Sequence, residues 1–135
     1  MAEQRGPAEL MRAYYAALDE SELDRLDDLF TAESVWEFPG SSATGTAQIK
    51  RRLGGSVATG LRMTHKIGHM VEQGDVAICE LAATNVLGEQ SFVVTGAVVC
   101  EARGGQIARL CAYPNAATSV PFLAALAEAV RQQRA

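Results

Sequence analysis

The sequence predicts an α+β fold, with helices first, a curved antiparallel sheet packed against them, and a helix at the end. Three observations predict it. Apolar residues recur at helical spacing through the first part of the chain, and from residue 63 the period changes to two. Three turn sequences, Gln73-Gly74-Asp75, Leu87-Gly88-Glu89 and Arg103-Gly104-Gly105, then separate the alternating segments. Consecutive hairpins of this kind make an antiparallel meander.

Each element follows in order. Pro7 suits the first turn of a helix, and Leu10, Met11, Tyr14, Tyr15 and Leu18 continue it with one apolar face. Ser21-Glu22-Leu23-Asp24 resembles a capping box with Asp for the usual Glu. It introduces a second short helix faced by Leu23, Leu26, Leu29 and Phe30. "SVWEFPG", residues 34–40, alternates as a strand and stops at Pro39-Gly40; residues 40–45 read as a loop. Thr46 is placed to cap a third helix carrying Ile49, Leu53 and Val57, weakened at Gly54-Gly55 by about 1 kcal/mol per glycine. Long strands are expected at 63–72, 76–87, 90–102 and 106–113. Ser119 and Pro121 open a last helix with Phe122, Leu123, Leu126 and Val130 on its apolar face. A bent sheet closed by helices on one side makes a conical cavity, a default ligand site.

Composition excludes several classes. The chain has 135 residues, 48% hydrophobic and 21% charged, which suits one soluble domain over residues 1–135 with a helical extension at about 118–134. A net charge of −4 leaves no electrostatic footprint for nucleic acid. No segment approaches a membrane span, and Met1–Gly6 lacks the apolar stretch of a signal peptide, so a cytoplasmic location is expected. Cys79, Cys100 and Cys111 are an odd set in apolar surroundings, read as buried free thiols. Two histidines without zinc-type spacing give no metal signature.

Several side chains are candidates for chemistry. Glu37 stands between Trp36 and Phe38, where desolvation would raise its pKa and suit it to act as a general base; a solvated strand-end glutamate, or one pairing with an arginine, is the alternative. It shares its strand face with Val35, read as the core side. Tyr14 and Tyr15 read either as amphipathic core residues with their hydroxyls at the surface, or, for a buried Tyr14 hydroxyl that needs a partner, as a site where a ligand carbonyl supplies it. His65 and His69 lie on one strand face, with Cα atoms roughly 13 Å apart, too far for a shared metal. Either would serve as acid, base or ligand contact, or as a satisfied core histidine. Asn85 shares the face of residues 79, 81 and 83, the expected cavity face, where it would hydrogen-bond a ligand or satisfy a bulge or turn next to Leu87-Gly88. Phe30 and Leu53, on apolar helix faces, complete the expected ligand-binding set with Trp36 and His69.

Four stretches carry a family resemblance: "MRAYYAALDESELDRLDDLF", "SVWEFPG…TGTAQI", "VEQGDVAICE" and "GGQIARLCAYPN". In this order they resemble the nuclear transport factor 2-like superfamily, in its SnoaL-like and ketosteroid isomerase-like branches. The resemblance implies the cone-shaped, cystatin-like fold and a homodimer. It implies Tyr14 as the hydrogen-bond donor to a substrate oxygen and Glu37 as the general base. The isomerases' second acid falls near Ala97, and the Asp-Arg-Asp set of limonene epoxide hydrolases falls near Ala83, Leu81 and Ala112; neither set is present.

The expected function is acid–base chemistry without a cofactor on a small hydrophobic molecule of polyketide, steroid or terpenoid type, by isomerisation, dehydration or aldol-type cyclisation. Glu37, Tyr14 and His65 would act as the catalytic residues. The alternatives are a non-catalytic ligand-binding or accessory protein, an epoxide hydrolase, and a protein–protein adaptor.

Overall fold

The computed structural model describes residues 4–134; residues 1–3 and Ala135, the ends of the expected domain, lie outside it. Helix α1 (Pro7–Asp19) begins with Pro7 in its first turn and buries Leu10, Met11, Tyr14, Tyr15 and Leu18, as the spacing predicts. The capping box does not form. Ser21 has φ 53°. Its N–H donates to Leu18 O at 3.1 Å, and the Glu22 N–H donates to Ala17 O at 2.9 Å. These bonds close α1 in a Schellman turn. That turn claims Ser21 in a left-handed conformation, and an N-cap needs an extended one. A 3₁₀ turn (Leu23–Arg25) instead leads into the short α2 (Leu26–Leu29).

Phe30 does not end that helix but opens strand β1 (Phe30–Phe38). Part of the expected loop is strand β2 (Ser41–Thr44), which pairs back on β1. Pro39-Gly40 makes the two-residue turn, with Gly40 at φ 74°. Helix α3 (Thr46–Val57) takes Gly45 rather than Thr46 as its N-cap. At φ 87° Gly45 lies so close to the chain that an added Cβ would sit 2.8 Å from Ala32 O.

Strands β3 (Arg62–Gln73), β4 (Val76–Leu87), β5 (Gln90–Arg103) and β6 (Gln106–Pro114) form the expected meander. The six-stranded sheet has the order β2-β1-β6-β5-β4-β3. It is mixed, because β1 joins β6 in parallel. The pairing registers shift between Ile67 and Met70 in β3 and between Glu101 and Ala102 in β5. Irregularities of this kind bend the strands that carry them.

Helix α4 (Ala116–Arg134) starts three residues before Ser119. Asn115 caps it, its Oδ1 accepting the Ala117 N–H at 3.0 Å. Ser119 is buried within the first turns, and Pro121 lies inside the helix. Leu10, Met11, Leu26, Phe30, Ile49 and Ile107 centre the core between α1–α3 and the sheet. A second cluster, Leu61, Leu87, Val94 and Phe122, seats α4 at the other end. All three cysteines are free and buried. Burial pushes the Cys100 thiol up to about 12.

Candidate active site

A cavity of about 720 Å³ opens between the two clusters, within the usual range for small-molecule sites. α1, α3 and α4 wall one side of it and the curved sheet the other. Because side chains alternate along a strand, β4 offers Leu81, Ala83 and Asn85, and β6 offers Leu110 and Ala112. The positions near which the isomerase acid and the epoxide hydrolase Asp-Arg-Asp set would fall, Ala97, Ala83, Leu81 and Ala112, all border this cavity. Leu53 lines it from α3, as expected.

Strand β1 does not present Glu37 as expected. Parallel pairing sets Trp36 opposite Leu110 and Glu37 opposite Cys111. Trp36 therefore shares the cavity side with Leu110, and Glu37 turns with Val35 to the outer face. Glu37 borders the cavity, but its carboxylate accepts the Arg109 Nε–H at 2.8 Å. That guanidinium also reaches Tyr113 Oη at 3.4 Å and Glu101 at 3.9 Å. A carboxylate bound in this way is an outer-face ion-pair partner.

His69 leaves the expected face for a related reason. The shift between Ile67 and Met70 takes Gly68 and His69 out of the regular alternation. Met70 packs against the core in its stead. The His69 side chain is 93% exposed and pairs with Glu80. Phe30 is also misplaced by the sequence reading. It is 2% exposed in the core and meets Tyr14 edge-on with ring centroids 5.7 Å apart, and it does not line the cavity.

The remaining candidates converge. The Tyr14 hydroxyl accepts the Trp36 Nε1–H at 2.9 Å. Among the described residues its own proton has no acceptor, so it is available to a ligand. Burial pushes the Tyr14 phenol well above its ordinary range, with the Trp36 bond only partly opposing this, so the group stays a protonated donor. Asn85 is 4% exposed. Its Nδ2 donates to Ala83 O at 3.3 Å, and among the described residues its Oδ1 makes no hydrogen bond. Tyr15, the neighbour of Tyr14, also lines the cavity.

His65 lines the cavity from β3 with its side chain 6% exposed. Its ring packs against Tyr15 at 4.6 Å between centroids. Its Nδ1 lies 2.6 Å from Asp19 Oδ1, and its backbone N–H donates to both Asp19 oxygens at 3.0 and 3.2 Å. A carboxylate only accepts, so Nδ1 carries the proton and Nε2 keeps its lone pair. Burial lowers the pKa of His65 below its ordinary value and outweighs the opposing pull of Asp19. The imidazole is therefore neutral at pH 7, hydrogen-bonded on one side and basic on the other.

Asp19 is a residue of the candidate site that the sequence reading missed. Its partner is 46 residues away, beyond any local pattern. One faint signal exists, since an acid in the last turn of a helix opposes the helix dipole and so calls for a compensating contact. Arginines 51, 52, 131 and 134 at the cavity edge were missed as well. Among the described residues no three His, Cys, Asp or Glu side chains gather as metal ligands would. No described helix is long and apolar enough to cross a membrane.

Residues 11–110 match the SnoaL-like domain. No curated protein matches the sequence. Several solved structures share the fold. An LEH-like epoxide hydrolase of M. tuberculosis is 19% identical, with a TM-score of 0.74 over 92% of this chain and 93% of its own. A protein of ketosteroid isomerase-like fold from Catenulispora acidiphila is 23% identical, with a TM-score of 0.71 over 81% of this chain and 86% of its own. IdmH, a proposed polyketide cyclase from Streptomyces antibioticus, is 16% identical, with a TM-score of 0.73 over 89% of this chain and 99% of its own.

Proposed function

Because the chain belongs to the SnoaL-like domain family, we propose that it is an acid–base enzyme acting without a cofactor on a small hydrophobic carbonyl compound. The reaction class is isomerisation, dehydration or aldol-type cyclisation, each of which begins with a proton leaving a carbon next to a carbonyl. The observation that carries this reading is that His65, held by Asp19, and Tyr14 line one largely apolar cavity.

In this reading His65 Nε2 removes the proton α to the carbonyl. Tyr14 donates to the oxygen on which enolate charge develops. The Trp36 N–H bonded to Tyr14 polarises that donor. Asp19 is a positioning residue: it fixes the imidazole's tautomer and stabilises the imidazolium that forms. The imidazolium then returns its proton to a different carbon, which isomerises the substrate, or to a leaving hydroxide, which dehydrates it. A positioned base contributes about 10²–10⁴-fold, and one oxyanion donor about 3 kcal/mol.

We further propose that the protein works in the cytoplasm as a homodimer. The buried free thiols support the compartment. Exposed Ile78, Val93 and Tyr113 on the outer side of the sheet support the pairing.

A non-catalytic binding protein is the second reading, favoured by the aliphatic residues at the places of the family acids. Hydrogen–deuterium exchange separates the two. With 2-tetralone in D₂O followed by proton NMR, the wild-type protein should accelerate loss of the α-proton signal, and His65→Asn should abolish the acceleration. Binding of the ketone without acceleration by the wild type would select the binding protein.

A further inference from the structure

The cavity has an apolar interior and a cationic edge. Arg51 and Arg52 reach it from α3, and Arg131 and Arg134 from α4. These are four of the chain's twelve basic residues, in a protein of net charge −4. The one carboxylate among the lining residues, Glu37, is taken by Arg109 on the outer face. The mouth is therefore opposite in sign to the molecule as a whole.

Helix electrostatics account for only half of this arrangement. Arg131 and Arg134 stand in the last turn of α4, where a cation is favoured. Arg51 and Arg52 lie in the middle of α3 and gain nothing from its dipole. Helix α3 also sorts its three consecutive cations. Lys50 turns away to Asp24 and Asp27 at 3.0 and 3.1 Å, while both arginines face the cavity. Two of the four guanidiniums have protein partners: Arg52 donates to Ser41 Oγ at 2.6 Å, and Arg131 pairs with Glu128. Among the described residues Arg51 and Arg134 have none. Gln133 donates to the Ala58 carbonyl, which ties the end of α4, and Arg134 with it, to the end of α3.

We propose that the ligand of this cavity is an amphipathic carboxylate, with its apolar body against Leu53, Leu61, Phe122 and Leu126 and its carboxylate at the mouth on Arg51 and Arg134. Guanidinium groups suit this role because their planar forks match carboxylate geometry. The inference rests on the reading of the cavity as the reaction site and names its substrate class: a hydrophobic keto acid, anchored by its charge so that its carbonyl meets Tyr14 and His65.

The test compares octanoate with 1-octanol, which have the same chain length and differ in headgroup. Binding is followed by calorimetry and by the emission of Trp36, the chain's single tryptophan. Wild-type protein should bind octanoate roughly tenfold more tightly than 1-octanol at low salt, a difference of ~1.4 kcal/mol. Raising the salt to about 0.3 M should shrink that preference by screening. The double variant Arg51→Gln/Arg134→Gln, at exposed helix positions, should lose the preference and keep its affinity for 1-octanol. Equal affinity of the wild type for both probes would overturn the inference, as would a preference that survives the double substitution. Binding of neither probe would overturn it together with the ligand-site reading. His65→Asn separates it from the chemistry, since this variant should lose ketone exchange and keep the octanoate preference.

Discussion

Asp19→Asn perturbs the proposed site at one atom. The substitution keeps the size of the side chain but replaces one carboxylate oxygen with an NH₂ group. In the wild type both Asp19 oxygens accept from His65, at 2.6 Å from Nδ1 and at 3.0 and 3.2 Å from the backbone N–H. With Asn, the amide oxygen can keep the backbone bond and present its NH₂ group to Nδ1. The imidazole proton then moves to Nε2, and the lone pair facing the substrate is lost. The full contribution of a positioned base is about 10²–10⁴-fold. A mid-range loss of about 10³-fold in kcat corresponds to ~4 kcal/mol of barrier. Asp19 does not line the cavity, so ketone affinity should stay within about threefold, a change of under ~1 kcal/mol.

The assay is 2-tetralone exchange at saturation, with Kd taken from Trp36 emission. The pH profile adds a second readout. His65 acts only when neutral, and burial places its pKa below the ordinary 6.5. Wild-type exchange should therefore be level at neutral pH and fall in acid with a midpoint below the ordinary 6.5. Asn removes the negative charge that partly raises this pKa, so the residual activity should persist to lower pH. Unchanged kcat in Asp19→Asn, or an acid limb that moves upward, would refute the reasoning.

Three more outcomes are expected. Tyr14→Phe removes the cavity donor and leaves the Trp36 N–H without its partner; exchange should slow roughly 10²-fold, and the Trp36 emission should change. Glu37→Gln weakens an outer-face ion pair whose side chains are 40% and 31% exposed; exchange should be unaltered, with a stability cost in thermal melts below about 1 kcal/mol. Cys79 and Cys100, whose thiols burial pushes above their ordinary range, should resist a thiol reagent with buried Cys111 in native protein, and all three should react once it is unfolded.

The parts of the fold set by local periodicity were legible in the sequence. α1 and the hairpins of β3–β6 announce themselves through spacing and turn glycines. The errors arose where a second element sets the geometry. Trp36 and Glu37 cannot be assigned to faces from "SVWEF" alone, because it is apolar at both parities; pairing with β6 decides it. His69 follows the alternation in sequence, but a register irregularity beside Gly68 breaks it. The stretch around Ser41–Thr44 is rich in loop-forming residues and becomes a strand only because β1 offers its edge. Tyr14, His65, Asn85 and Leu53 line one cavity, and the faces that bring them there follow from local periodicity alone. Asp19 was not expected, since only the packing of α1 across β3 brings it to His65.

The central claim is that Asp19 holds His65 as a neutral base with Nε2 free toward the cavity. Long-range ¹H–¹⁵N NMR of uniformly ¹⁵N-labelled protein tests this directly, with the resonances of His65 assigned by their loss in His65→Asn. At pH 7 the account predicts one neutral ring with the proton on Nδ1, an unprotonated Nε2 that shifts when a ketone is added, and a titration midpoint below 6.5. A proton on Nε2 at pH 7, or a midpoint above 6.5, would contradict it.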